Sequence, residues 1–380
     1  MRIVQRQFTL DLPPGRSAFL WGPRKVGKTH WIHAHLAGKG TNLIDLLETD
    51  TFAEYASRPA LLRERWKGGL TVIDEIQKLP PLLDEVHWLI ERKKAAFVLT
   101  GSSARKLRRG HANLLGGRAW RYEMGPLTAS EVQGFDLERA LVSGLLPPHL
   151  LSSAPEQDLR AYVADYLKEE IAAEARLRDV PAFAEFLRVA ALTSSELLNY
   201  ANVAREAGVS AKVVRGYFEI LEDTLLGARL PAWKRARDRR MIQTEKFYLF
   251  DVGVANYLAR RRPLLGSPDF GKSFEHWVLM ELQNYRRYRD PELDLRFWRT
   301  STGLEVDFVL GDMQAAIEVK GSARVHEGDL GGLRALRASQ RVKHALVVSL
   351  EKEPRKLEDG LEVLPWRAFV ERLWGDELVG

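Results

Sequence analysis

A glycine-rich segment near the start of the chain limits its possible folds more than any other feature. Residues 22–29 read Gly-Pro-Arg-Lys-Val-Gly-Lys-Thr and complete the pattern G-x-x-x-x-G-K-[ST]. In such a loop the glycines let backbone N–H groups turn toward phosphates, the lysine reaches the β- and γ-phosphates, and the final hydroxyl binds Mg²⁺. The candidate nucleotide-binding residues are therefore Gly22, Pro23, Arg24, Lys25, Val26, Gly27, Lys28 and Thr29.

The segments around this loop predict a parallel α/β sheet. Residues 17–21 read as a buried strand and residues 29–36 as a helix, an order that aims a helix N-terminus at an anion. A second apolar run, residues 70–75, ends in two acids. In nucleotide hydrolases the first such acid holds Mg²⁺ and the second polarises the attacking water. We therefore predict ATP and Mg²⁺ as cofactors, with Thr29 and Asp74 as metal ligands and Glu75 as the catalytic carboxylate.

Residues 1–150 resemble the ATPase domain of a large family of bacterial and archaeal AAA+ proteins. The motifs that carry the resemblance are residues 22–29, Asp74-Glu-Ile-Gln77, Gly101-Ser-Ser-Ala-Arg-Lys-Leu107 and Leu115-Gly-Gly-Arg118. AAA+ ATPases place a polar sensor of the γ-phosphate after the strand that residues 96–100 represent here. The resemblance implies Thr100 or Ser102 in that role, and the alternative for each is a turn that follows a buried strand.

The resemblance also implies that copies of this chain assemble. An AAA+ arginine finger reaches into the nucleotide of a neighbouring subunit, and Arg118 lies where the family places it. Arg105 is the competing candidate, and the alternative for Arg118 is a surface or intramolecular ion pair. The expected homo-oligomer is an AAA+ ring, for which a hexamer is one candidate size.

A second set of charged residues lies in the last third of the chain. Residues 296–320 read as two strands joined by a turn at 311–312, with Asp307 on the first strand and Glu318 and Lys320 on one face of the second. This pattern is typical of PD-(D/E)xK nucleases and predicts a restriction-endonuclease-like α/β domain. Asp307 and Glu318 would bind Mg²⁺ or Mn²⁺, and Lys320 would orient water and stabilise phosphate charge.

Further segments complete this domain. A helix over residues 274–282 carries Glu275, which matches the acidic residue that PD-(D/E)xK nucleases have on the helix before their core strands. A helix over 329–339 and a strand over 344–349 follow. Whether the domain cuts is left open, since Glu318 and Lys320 are equally explained as an ion pair on a scaffold.

The middle of the chain predicts a winged helix-turn-helix. Residues 192–200, 203–207 and 211–221 read as helices, and residues 225–233 with the basic run 234–240 would form the wing. Such a unit suggests contact with nucleic-acid phosphates, with Lys212 and Arg215 as exposed candidates on the recognition helix. The alternative is a solvated charged loop or a protein-docking wing.

The composition fits several packed domains. The 380 residues divide at the proline-rich stretches into predicted domains 1–150, 151–262 and 263–380 of an α/β multidomain protein. The net charge of +6 suits a polyanionic partner. The chain has no cysteine, which excludes disulfides and thiolate metal sites. We expect a cytoplasmic protein without a membrane-spanning segment, because no apolar run is long enough.

These patterns support two functions of different class. The first is an ATP-driven enzyme that acts on nucleic acid, expected to be DNA, and cuts it with the carboxy-terminal domain. The second is a nucleotide-dependent switch or scaffold in which the nuclease-like domain is catalytically silent. The sequence does not distinguish DNA from RNA.

Overall fold

The computed structural model describes residues 4–38, 40–103, 115–164, 166, 179–233 and 245–379. The chain forms two compact units. The amino-terminal unit comprises Phe8–Gly125 and Asp223–Leu226, and the carboxy-terminal unit comprises Met1–Gln7, Pro126–Glu222 and Gly227–Gly380.

The amino-terminal unit contains a five-stranded parallel sheet in the order β2-β3-β4-β1-β5. Its strands are β1 (Ser17–Trp21), β2 (Asn42–Asp45), β3 (Leu70–Asp74), β4 (Ala96–Gly101) and β5 (Ala119–Glu123). Its helices are α1 (Lys28–His35), α2 (Thr49–Ser57), α3 (Leu61–Arg65) and α4 (Leu82–Lys93). The central strands β1 and β4 are buried along almost their whole length and are apolar except at their ends, as expected where both faces of a parallel sheet are covered. The predicted strands of this unit are confirmed to within one residue at each end.

The carboxy-terminal unit begins with a largely helical region. Its described helices are α5 (Leu137–Ser143), α6 (Pro147–Leu150), α7 (Pro155–Ala161), α8 (Val180–Leu192), α9 (Tyr200–Ala207) and α10 (Ala211–Asp223). A two-stranded antiparallel sheet follows, formed by β6 (Gly227–Pro231) and β7 (Glu245–Leu249), and then α11 (Val252–Ala259).

The predicted helix over residues 192–200 is wrong, because α8 ends where that helix should begin. The backbone N–H groups of Ser195 and Leu198 donate instead to carbonyl oxygens of Phe247 and Glu245 on β7. Asn199 then caps α9, because its side chain accepts hydrogen bonds from the backbone N–H groups of Ala201 and Asn202. A distant strand therefore takes the hydrogen bonds that a helix would have used.

The turn between α9 and α10 has the expected form, since Gly208 ends α9 and the Ser210 hydroxyl accepts from the Val213 N–H at 3.3 Å. The winged helix-turn-helix stays a prediction. The basic run 234–240 that should extend the wing lies outside the described residues.

The rest of this unit is a six-stranded mixed sheet in the order β12-β13-β11-β10-β9-β8. Its strands are β8 (Leu295–Arg299), β9 (Glu305–Leu310), β10 (Ala315–Lys320), β11 (His344–Ser349), β12 (Arg355–Lys356) and β13 (Glu362–Pro365). Its helices are α12 (Pro268–Tyr288), α13 (Gly331–Ser339) and α14 (Trp366–Trp374). Apolar side chains cover both faces of this sheet.

One predicted strand of this sheet is two strands. Residues 296–310 divide into β8 and β9, which pair with each other in antiparallel fashion. The chain reverses between them, where the Thr300 N–H donates to the Leu304 carbonyl at 2.8 Å. The predicted strand over 344–349 is confirmed, and the helix predicted from residue 329 begins as α13 at Gly331 after a short 3₁₀ turn.

In the described part of the chain, no helix combines the length and the apolar character needed to cross a membrane.

Candidate nucleotide site and carboxylate cluster

The glycine-rich loop joins β1 to α1 and places its lysine at the first residue of the helix. Lys28 is buried, and its Nζ donates to the carbonyl oxygens of Gly22 at 2.6 Å and Pro23 at 3.1 Å. Burial lowers the pKa of Lys28, and the charges of Glu75 and Asp74 oppose this shift in part. Gly22 cannot carry a side chain, because a Cβ there would lie 2.3 Å from the Met124 carbonyl oxygen.

Polar side chains from the ends of the adjacent strands β3 and β4 and from the start of α1 meet beside this loop. The Thr29 hydroxyl donates to Asp74 Oδ2 at 2.6 Å, and the Thr100 hydroxyl donates to Asp74 Oδ1. The Glu75 N–H donates to Asp74 Oδ1 at 3.1 Å and to Thr100 Oγ1 at 3.2 Å. The hydroxyl of Thr29 and the carboxylate of Asp74 are oxygen donors of the kind that Mg²⁺ binds, so the residues present fit this ion.

Glu75 follows β3 in a left-handed backbone conformation, with φ of 59°. Burial raises the pKa of its carboxyl group, and the Lys28 charge opposes the shift in part. The side-chain amide of Gln77 donates to Glu75 and also to Ser102 Oγ, the latter at 3.1 Å. We did not predict Gln77 as a site residue, although it closes the Asp74-Glu-Ile-Gln77 motif.

Arg118 lies in the amino-terminal unit immediately before β5. Its Nε forms an ion pair with Glu91 at the end of α4, and its guanidinium also reaches the Leu115 carbonyl oxygen at 3.3 Å. Both side chains of the ion pair are exposed, at 38% and 46%. The structure thus shows Arg118 in the intramolecular ion pair named as its alternative role, and the competing Arg105 lies outside the described residues.

The carboxy-terminal unit brings together the four residues of the nuclease-like pattern. Asp307 on β9 accepts from the Val319 N–H of β10 at 2.8 Å, so its carboxylate lies beside Glu318. Lys320 Nζ donates to Glu318 Oε1 at 2.7 Å, which confirms that these two share a face. Glu275 reaches the same cluster from α12 and influences the pKa of both acids.

Three further side chains complete this carboxylate cluster and were missed from the sequence. Lys246 Nζ lies 2.6 Å from Glu305 Oε1, 3.2 Å from Glu275 Oε1 and 4.0 Å from Asp307 Oδ1. The Tyr248 hydroxyl donates to Glu275 Oε1 at 2.6 Å. Their only signal in the sequence was the two-residue alternation of a strand. Lys246 and Tyr248 are two apart on β7, as are Glu305 and Asp307 on β9, so each pair lies on one face of its strand.

Burial dominates the electrostatics of the carboxylate cluster. It raises the pKa of Asp307 well above its ordinary value, assisted by the charges of Glu318 and Glu275 and opposed by Lys246. Burial likewise raises the pKa of Glu318, against the charge of Lys320. For Lys246, burial lowers the pKa, but the surrounding acids outweigh this effect and the net direction is upward. The ammonium of Lys246 is therefore held charged.

The fit of a divalent metal to the carboxylate cluster is poor. One observation favours a metal: Glu318 Oε2 is buried and accepts no hydrogen bond within the described residues, as expected of an oxygen that is available to bind an ion. However, no group of three or more His, Asp or Glu side chains in the described segments has the arrangement of a metal site. Metal binding by Asp307 and Glu318 stays a prediction.

Three family models match successive parts of the chain. Residues 15–133 match an AAA domain, residues 134–265 a domain of unknown function (DUF8612), and residues 270–369 another domain of unknown function (DUF4143). The amino-terminal unit therefore carries an AAA-type, ATPase-like domain, as the phosphate-binding loop predicts.

The relatives found among curated proteins have no assigned activity. An uncharacterized protein of Mycobacterium bovis and one of Mycobacterium tuberculosis are each 27% identical over 297 residues. The matches cover 76% of this chain and 66% of each relative. Among solved structures, the ORC2 protein of Aeropyrum pernix, in ADPNP and ADP complexes, aligns with 65% of this chain and 86% of its own. Its TM-score of 0.36 and 11% identity are too low to assign a fold or a function.

Proposed function

We propose, from the AAA-type domain of residues 15–133, that this chain binds and hydrolyses ATP. The observation that carries the proposal is the hydrogen-bonded group in which Asp74 joins Thr29 of the phosphate-binding loop to Thr100 of β4, with Glu75 beside them. These residues come from the ends of β3 and β4 and from the start of α1, at the edge of the parallel sheet where such folds bind their ligands.

Each residue of the group has a distinct task in this proposal. Lys28 exchanges its loop carbonyl partners for the β- and γ-phosphates, and Thr29 and Asp74 hold Mg²⁺. The ion, when bound, neutralises charge on the phosphates. Glu75 orients the attacking water and is itself held by Gln77, while Thr100 or Ser102 responds to the γ-phosphate.

ATP turnover of two lysine variants tests this proposal. Lys28→Ala should lose most nucleotide affinity, because it removes the cation that meets the phosphates. Lys67→Ala removes an exposed lysine of the same unit and should behave as wild type. Equal turnover and affinity in all three proteins would refute the assignment of the loop.

We further propose that the chain acts on DNA through the helices α9 and α10. Lys212 is exposed near the start of α10, and the Arg215 guanidinium lies 4.1 Å from the centre of the Tyr200 ring. The net charge of +6 supports a polyanionic partner. An exposed lysine and an arginine stacked on an aromatic ring, both on α10, are suited to contacting nucleic-acid phosphates.

Binding to labelled DNA at several salt concentrations tests this second proposal. Lys212→Ala should weaken binding and reduce the salt slope by about 1, as expected when one phosphate contact is lost. Glu219→Gln, on the same exposed helix surface, should not weaken it. ATP turnover that responds to DNA favours the DNA-acting enzyme, whereas turnover indifferent to DNA favours the switch or scaffold.

For the nuclease-like domain, the carboxylate cluster favours the catalytically silent alternative. A metal-dependent nuclease needs a divalent ion at its carboxylates, and here a lysine ammonium contacts three of them. Incubation with Mg²⁺ or Mn²⁺ and single-stranded, duplex and branched DNA, with and without ATP, decides between the two. Cleavage that disappears in Asp307→Ala would establish a nuclease and refute the silent domain.

A further inference from the structure

Lys246 is the most deeply enclosed cation of the carboxylate cluster, since its side chain is only 4% exposed. Its backbone is fixed on both sides, because it pairs with Leu230 on β6 and forms a bridge to Leu197. Its ammonium also lies 5.5 Å from the centre of the Phe297 ring. A side chain held in this way has little freedom to swing out and make room for another cation.

The ammonium of Lys246 lies among the carboxylate oxygens that face the centre of the cluster. Its partners are Oε1 of Glu275, Oε1 of Glu305 and Oδ1 of Asp307. The second oxygen of Asp307 already accepts from the Val319 N–H. Of the two predicted metal ligands, Asp307 faces Lys246 and Glu318 pairs with Lys320, so each already has a cationic partner in place of a divalent ion.

The charge balance of the cluster depends on this lysine. Four carboxylates, those of Glu275, Glu305, Asp307 and Glu318, face the cations of Lys246, Lys320 and Arg299. When all four are ionised and Lys246 is absent, the carboxylates face two cations, and the excess of two negative charges equals what one divalent ion neutralises. Burial makes such an excess costly unless a cation compensates it.

We propose that Lys246 is a tethered cation that takes the place of a divalent metal in a nuclease-like carboxylate cluster. The cluster is therefore complete without metal, and β7 supplies the charge that links the two-stranded sheet to the six-stranded sheet. This inference rests on the proposed silent domain and is independent of ATP hydrolysis.

Mn²⁺ binding without nucleotide, followed by the electron paramagnetic resonance of the free ion, tests the proposal on the full chain. Wild type should show no Mn²⁺ binding that depends on Asp307. Lys246→Met should gain one Mn²⁺ per chain, and Asp307→Asn in the same background should remove it. Lys272→Met is the matched control, because it removes an exposed lysine of α12 that pairs with Glu196, and it should gain nothing.

Thermal unfolding gives a second readout. Lys246→Met should have a lower Tm than wild type in metal-free buffer and regain stability with Mn²⁺, since an ion that binds only the folded state stabilises it. If this variant does not fold without metal, the double variant Lys246→Met with Glu305→Gln restores the charge balance and should fold. Wild type that binds Mn²⁺ in an Asp307-dependent manner, or a Lys246→Met protein that gains no site, would overturn the proposal. ATP turnover of the same preparations reports separately on the proposed ATPase.

Discussion

At the scale of single residues, the amide of Gln77 is the contact that sets the position of the proposed catalytic carboxylate. It donates to Glu75 and to Ser102, and so joins the end of β3 to the end of β4. Gln77→Ala should therefore lower kcat by up to about 100-fold with little change in KM, because a misplaced water-orienting group slows the chemical step. Steady-state kinetics check this, with the exposed neighbour Lys78→Gln as control. An unchanged kcat would show that Gln77 has only a structural role.

The buried Glu281 of α12 should make stability depend on pH. Burial raises the pKa of its carboxyl group from 4.5 to about 7, although the Ala129 N–H and the Trp374 indole donate to it. An acid whose pKa is higher in the folded state stabilises most below its unfolded pKa and loses that contribution as pH rises through the folded value. Its contribution should therefore decrease between about pH 4.5 and pH 7.

Thermal unfolding of Glu281→Gln across this range isolates the effect. The Tm of the variant should rise relative to wild type as the pH increases, because glutamine cannot ionise. Glu371→Gln, an exposed position on α14, should keep a constant difference from wild type. A constant difference for Glu281→Gln as well would contradict the raised pKa.

At the scale of elements, the junction between α5 and α11 depends on a glycine. Gly144 has φ of 73° and ψ of −175°, a region open essentially to glycine alone, and a Cβ there would lie 2.0 Å from Asp251 Oδ1. Asp251 caps α11 and also accepts from the Leu145 N–H at 2.7 Å. Gly144→Ala should therefore reduce the free energy of unfolding by at least about 2 kcal/mol.

Gly216→Ala should have the opposite effect on the free energy of unfolding, which denaturant titration measures for both variants. It lies inside α10 with no atom within 4 Å of an added Cβ, so alanine should stabilise the protein by about 0.5–1 kcal/mol. Equal effects of the two substitutions would mean that the Gly144–Asp251 contact is not formed.

The local pattern of apolar and polar residues was enough to predict the strands around the phosphate-binding loop, since β1, β3 and β4 are continuous apolar runs with polar ends. It failed where a distant partner decides the structure. Residues 193–198 look helical, yet Ser195 and Leu198 hydrogen-bond to β7, which lies about fifty residues later in the chain. Lys246 gave only the weak signal of alternation along β7, because its role depends on acids that the fold brings from α12 and β9.

At the scale of the whole molecule, the proposed assembly depends on Arg118. Its ion pair with Glu91 is exposed, and such pairs are weak enough to be exchanged for a nucleotide phosphate of a neighbouring subunit. Turnover per subunit should then rise with protein concentration. A mixture of Arg118→Ala and Lys28→Ala chains should recover some hydrolysis, because the Lys28→Ala chain donates its arginine to an intact site. Concentration-independent turnover without recovery would leave Arg118 as an intramolecular ion-pair residue.

The proposed ATP hydrolysis takes place at the site formed by the phosphate-binding loop, Asp74 and Glu75. Its most direct test compares ATP binding with ATP turnover in Glu75→Gln, which keeps the phosphate-binding loop and removes the carboxylate that orients water. This variant should bind ATP like wild type and hydrolyse it far more slowly. Turnover at the wild-type rate would contradict the proposal.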